Sequence, residues 1–409
     1  MNQATSGAAH FFLQIAIILI VCALMRFCMR RIGQAPVVGE MIAGVMLGPS
    51  LFGALAPGMA AWMYPKDCRP ILYAVASLGL TLYMFVIGLE FRTDLFRRNL
   101  RTAAAVSAAR IIAPFLLGGG LAVWLCKTGG YFQQSVSLPM AFLFVGAALS
   151  ITAFPMLARI IVEHGLSDTM VGTIALAAGS LDDVTAWMLL SVVLGCISGN
   201  PLLVAAALGG GVLYTALCFL VVKPILARLH VSLKNEAEFL SLIMILIAVG
   251  AWFTDTIGLY SVFGAFILGM AVPRGGLAEK IASLVGPLTS AVLLPVFFIY
   301  SGLNTRIGLL NSGTLWIVCG LLTLAAIAGK LFACYGAARF SGVSHGDSLT
   351  IASLMNARGL MELILLNIGF QAGLITQTLF TMLVLMAVIT TLMAAPGFNA
   401  AKRFSASSC

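Results

Sequence analysis

"AAGSLDDVTAWMLL", residues 177–190, sets two adjacent carboxylates, Asp182 and Asp183, in a stretch that is otherwise apolar or small. No lysine or arginine lies between Arg159 and Lys223. A charge at the centre of a bilayer costs roughly 2.5–3.5 kcal/mol on insertion scales. Two in succession need a functional reason, and the surrounding chain supplies one.

The 409 residues are 61% hydrophobic and only 9% charged, with a mean hydropathy of +1.07. Soluble domains carry about 45–50% apolar and about 25% charged residues. The 42 glycines fit close helix packing in lipid. Thirteen apolar segments are expected as spans, at approximately 11–29, 35–52, 70–91, 101–126, 138–162, 169–197, 202–227, 237–253, 257–273, 281–304, 313–338, 348–370 and 376–396. Each is long enough for a helix across ~30 Å of hydrocarbon. Span 1 has no basic residue before Arg26, which argues against a cleaved signal peptide.

Loops after odd-numbered spans, together with the C-terminal tail and Arg26, hold 16 of the 23 Lys and Arg. Loops after even-numbered spans hold Lys66, Arg69, Lys127 and Arg306. The positive-inside rule then places the N-terminus outside and the C-terminus in the cytoplasm of a cell (inner) membrane protein. Net charge of +9 reflects this topology and needs no nucleic-acid partner. The nine cysteines read as small buried hydrophobes and form no ligand-like cluster. With no dinucleotide-binding glycine motif and no soluble regulatory domain expected, the chain reads as one membrane transport unit and not an enzyme.

Several features recur seven spans apart. Span 2 contains "IAGVMLGP" and span 9 "FILGMAVP"; span 3 ends "LYMFVIGLEFRTDLF" and span 10 "VFFIYSGLNTRIGLL". Spans 5 and 12 are both interrupted, by "ALSITAFP" and "SLMNARGLMEL". An odd offset reverses the membrane sense, so spans 1–6 and 8–13 form an inverted-topology repeat joined by span 7. Paired broken helices in such repeats mark the midplane sites of secondary transporters.

The polar residues within spans are few. Ser150 and Thr152 precede Phe154–Pro155, and a proline there removes a backbone donor and disfavours helix before it. Either the hydroxyls bond back to a kinked helix or they line an oxygen-bearing break. Span 12 holds Asn356, Arg358 and Glu362; the last two are four apart and are expected to form an ion pair that holds a broken helix. Lys330 in span 11 is expected to find a buried partner instead of snorkelling to the interface. Arg110 in span 4 pairs with Glu362 or serves packing; the sequence leaves both open. Asp182 and Asp183 point about 100° apart on a helix. One addresses a cavity and the other a neighbouring helix. Such a site suits a carboxylate that alternates between a proton and an alkali cation.

With "PVVGEMIAGVMLGPS", "LGLTLYMFVIGLE", "ALSITAFPMLARI", "SLDDVTAWMLL", "LPVFFIYSGL" and "LMNARGLMELILLNIGF", the chain resembles the second family of monovalent cation:proton antiporters, Kef-type systems and plant cation/proton exchangers. The resemblance implies an all-α polytopic membrane protein with a sodium/proton-antiporter-like fold. It implies a dimerisation part at about 11–91 and 237–304, a moving core at about 101–197 and 313–396, and a linker helix at 202–227. By position, Asp183 is implied as the carboxylate that binds cation or proton, with Asp182 paired to Lys330. Thr152 and Ser150 are implied to supply oxygens to the alkali cation, and Asn356 to lie in the facing break. Many members carry an amide before the essential Asp, so Asp-Asp here favours sodium over potassium. The expected function is alkali cation–proton antiport by a homodimer in the bilayer, with no cofactor beyond the transported ions. A cation channel and a transporter-like cation sensor without coupled flux are the alternatives.

Overall fold

Backbone N–H and C=O groups find no water inside a bilayer, so a chain this apolar closes its hydrogen bonds within helices. The computed structural model describes the chain except residues 1–2, 35, 66–67, 91–99, 152–156, 158–159, 162–164, 167–168, 198–200, 233–235, 260, 357, 359 and 407–409. The side chains of some helical residues, Asp183 among them, also lie outside the description.

The helices are α1 (Gln3–Arg31), α2 (Pro36–Leu47), α3 (Phe52–Leu55), α4 (Pro57–Met63), α5 (Arg69–Glu90), α6 (Leu100–Thr128) and α7 (Leu138–Ser150). They continue with α8 (Met170–Ile197), α9 (Pro201–Leu217), α10 (Lys223–Ser232), α11 (Glu236–Thr256) and α12 (Ser261–Ala271). The last are α13 (Gly276–Leu288), α14 (Leu294–Leu303), α15 (Gly313–Phe340), α16 (His345–Leu354), α17 (Leu360–Gln371) and α18 (Gln377–Ala406). Among the described residues nine helical stretches are long and apolar enough to cross a membrane, with four shorter apolar helices beside them. Each of the thirteen expected segments contains helix among its described residues. No strand occurs among the described residues, only an isolated bridge between Phe132 and Ile375.

Local chemistry sets the ends of these helices. Ser312 caps α15 by accepting the Leu315 N–H at 3.3 Å, and Ser344 caps α16 by accepting the Asp347 N–H at 3.2 Å. Between them Gly342, at φ +85°, reverses the chain where a side chain would be strained.

The chain divides into two compact units. The first comprises Met1–Ala23, Ala56–Phe91 and Leu190–Tyr300. Within it α5 crosses α12 at glycines: a Cβ on Gly88 would lie 3.0 Å from Gly269 Cα and overlap the Phe266 carbonyl. The second comprises Leu24–Leu55, Arg92–Leu189 and Ser301–Cys409. There the end of α14 meets α2 in the same manner, with a Cβ on Gly302 overlapping the Gly44 backbone. Aligning "VIGLEFR" of span 3 with "YSGLNTR" of span 10 makes Gly88 and Gly302 equivalent. Each meets a glycine of the opposite half, Gly269 of span 9 and Gly44 of span 2. Both crossings thus set a glycine of one half of the repeat against a glycine of the other.

A Gly269→Val protein is expected to lose about 1–3 kcal/mol or more, because overpacking a backbone contact leaves no rotamer that relieves it. Thermal unfolding in detergent checks this. An unchanged midpoint would show that the α5–α12 crossing has room to spare.

Candidate functional site

The second unit contains both helix interruptions. In span 5, α7 stops at Ser150, and Ile151 turns extended at φ −57° and ψ 139° while its N–H still reaches the Ala147 carbonyl at 3.0 Å. In span 12, α16 ends at Leu354 and helix resumes with α17 at Leu360. The buried core of this unit includes Leu157 after the first interruption and Leu354 and Met355 at the second, together with Val106, Ile174, Ile351 and Phe398.

A helix end leaves carbonyls without intrahelical partners, and it carries the negative end of the macrodipole. At the end of α7 two buried cations meet both needs. Arg358 donates to the Ala148 carbonyl at 3.0 Å and to the Leu149 carbonyl at 2.6 Å. Lys330, on α15 and fully buried, donates through Nζ to the Ile151 carbonyl at 2.8 Å. Arg358 also pairs with Glu362 at 3.1 Å, which places a carboxylate in the first turn of α17, at that helix's positive end. One side chain from the span-12 break therefore ties down the span-5 break.

Ser150 donates to the Ile111 carbonyl at 2.9 Å or the Gly146 carbonyl at 2.8 Å, so its single proton ties α7 to itself and to α6. Asn356 is buried beside the α16 terminus, and its Oδ1 has no hydrogen-bond partner among the described residues. Thr152 and the side chain of Asp183 lie outside the described residues; the backbone of Asp183 is part of α8.

The pairing expected for Asp182 is corrected. Its carboxylate does not take Lys330 as ion-pair partner: it pairs with Arg110 of α6, and Ser107 donates to its other oxygen at 2.6 Å. Ser107 and Arg110 are one turn apart on α6, so both reach the same carboxylate. Of the two roles open to Arg110, pairing with Glu362 does not occur: its ion pair is with Asp182, and Glu362 pairs with Arg358. Arg110 Nη1 also lies 2.8 Å from Met355 Sδ, at the edge of the span-12 break. Ser107 is absent from the residues expected at the site. Its only signal in the sequence is the i, i+3 spacing from an intramembrane arginine.

Comparison with known proteins agrees with this architecture. Residues 15–400 match the family described as sodium/hydrogen exchanger, transmembrane. The chain is 39% identical over 390 residues to the Na(+)/H(+) antiporter NhaS4 of Synechocystis, covering 93% of this chain and 94% of that one. It is 33% identical to cation/H(+) antiporter 18 of Arabidopsis thaliana and 31% identical to K(+)/H(+) antiporter 1 of Saccharomyces cerevisiae, over 94% and 96% of its own length. It spans about half of those two longer proteins, 48% and 46%. The structure of the sodium proton antiporter MjNhaP1 from Methanocaldococcus jannaschii superposes with a TM-score of 0.70 over 97% of this chain and 98% of that one, at 16% identity. A family match across nearly the whole chain, and a fold shared end to end, make this protein a member of the transmembrane sodium/hydrogen exchanger family.

Proposed function

We propose that the protein is a secondary active antiporter that exchanges a monovalent alkali cation for protons by alternating access. The observation that carries this reading is the meeting of two helix breaks at buried charges, with α7 capped by Arg358 and Lys330. Unwound backbone at membrane depth is tolerated where protein satisfies it or where it lines a cavity. Here protein side chains take the carbonyls at the end of α7.

Asp183 is the carrier in this scheme. Cation and proton compete for its carboxylate, so exchange is coupled without a separate gate. Asn356 Oδ1, without a partner among the described residues, supplies a hard oxygen of the kind alkali cations take, and Thr152 supplies another. Lys330 and Arg358 offset the half-helix dipole, so that the arriving cation meets a negative site and not a negative helix end. A core at about 101–197 and 313–396 moves against a dimerisation part at about 11–91 and 237–304, and the working form is a homodimer in the cell (inner) membrane with the N-terminus outside. Sodium is the favoured ion: the Synechocystis relative is named for it, and the acid at position 182 stands where, by the resemblance, Kef-type and plant members usually carry an amide.

Everted vesicles with an acid interior and a pH-sensitive dye test the reading. Adding sodium is expected to dequench the dye, with a smaller response to potassium. A correctly inserted wild type that moves no protons on addition of either cation would sink the antiporter and leave a channel or sensor.

A further inference from the structure

Tandem acids invite the reading that both carry ions. The contacts of Asp182 oppose it. Each of its oxygens is claimed by a donor on α6, Arg110 on Oδ2 and Ser107 on Oδ1, and Asp182 is only 3% exposed while Arg110 is not exposed at all. A guanidinium stays protonated at any accessible pH, so it never releases its partner by losing its own charge. Its Nη1 is set against Met355 Sδ at 2.8 Å, and the arginine is fully buried. Among the described residues, the further titratable groups whose fields reach this pair are Lys330 and Cys334 on α15.

The balance of charges points the same way. Arg110 is matched by Asp182 and Arg358 by Glu362. Asp182 is therefore already matched within the protein before a cation arrives.

We propose that Arg110 is a positioning residue for transport: with Ser107 it holds Asp182 as a fixed counter-ion that joins α8 to α6 and the span-12 break, leaving Asp183 as the one transporting carboxylate. This deepens the antiport reading and rests on it. The pair replaces an aspartate–lysine contact by one that does not break during the cycle.

Purified wild type, Arg110→Gln, Asp182→Asn and the double variant, reconstituted in proteoliposomes, decide the matter. Three quantities are read: maximal rate, sodium KM, and protons moved per sodium from the reversal potential. Each single variant leaves one buried charge alone and is expected to lose roughly 30-fold or more in rate. The double removes both charges and is expected to regain at least about a third of the wild-type rate, with KM within about twofold. Its proton-to-sodium ratio equals that of wild type. Two results overturn the proposal: a double variant as slow as Asp182→Asn, or a ratio lower by one proton wherever Asp182 is absent. If a single variant fails to fold, the ratio in the double still decides, and Arg110→Lys, which keeps the charge, is expected to retain the wild-type ratio. Wild-type vesicles without sodium-dependent flux would overturn the antiport reading itself, and this control is read before any variant.

Discussion

Asp183→Asn protein is expected to insert and fold as wild type and to lose cation-dependent proton movement by at least about 100-fold. The amide keeps the size of the side chain and one oxygen, so packing in α8 is little disturbed; what disappears is the charge. Two unit charges 4 Å apart interact with about 4 kcal/mol at an effective dielectric of about 20. That corresponds to nearly a thousandfold in cation occupancy. The proton loses its binding group in the same step, so both halves of the exchange stop together. Dye dequenching with sodium and potassium reads the flux, and calorimetric titration of sodium reads the binding. Asp183→Glu, which restores the charge one methylene further out, is expected to recover part of both. Retained exchange in Asp183→Asn would move the carrier to Asp182, which the ion pair with Arg110 argues against. The two acids also differ in repair. Loss at Asp182 is offset by removing Arg110, whereas no second change restores a missing carrier.

Much of this arrangement was legible in the chain. Apolar runs separated by turns and basic loops located every span, since lipid exposure makes hydropathy the dominant signal. The Arg358–Glu362 pair followed from a spacing of four, which needs only local helix geometry. The glycines of "VIGLEFR" and "YSGLNTR" announced a repeat, and the structure adds what they meet. The partner of Asp182 was not legible. Arg110 lies far away in sequence on another span, and which faces two neighbouring helices turn to each other depends on rotation that a nearly all-apolar helix does not encode. Resemblance supplied Lys330 in its place. The target of Lys330 was hidden for a different reason: it is a backbone carbonyl, Ile151, and carbonyls carry no residue identity. That Lys330 finds a buried partner followed from the sequence and holds; only the acceptor, from elsewhere in the fold, was hidden.

Arg358→Met protein is expected to lose about 3–5 kcal/mol of stability, because Glu362 is then a buried carboxylate without its cation. The carbonyls of Ala148 and Leu149 lose their donors at the same time, so the end of α7 frays at the position where transport needs it fixed. Glu362→Gln separates the two roles. It leaves Arg358 both carbonyl bonds, the shorter at 2.6 Å, and removes only the pair, for an expected loss of about 1–3 kcal/mol. The combined variant Arg358→Met with Glu362→Gln relieves the stranded charge but not the bare helix end, so its stability falls between the two singles while its transport stays as low as that of Arg358→Met. Thermal unfolding of the three proteins in detergent, beside sodium-driven proton flux in vesicles, checks the order. If Glu362→Gln were as damaging to flux as Arg358→Met while remaining stable, Glu362 would have a part in ion movement of its own. If the combined variant recovered transport, the arginine would be needed only as a counter-charge, and the capping of α7 would not be what holds the site in shape.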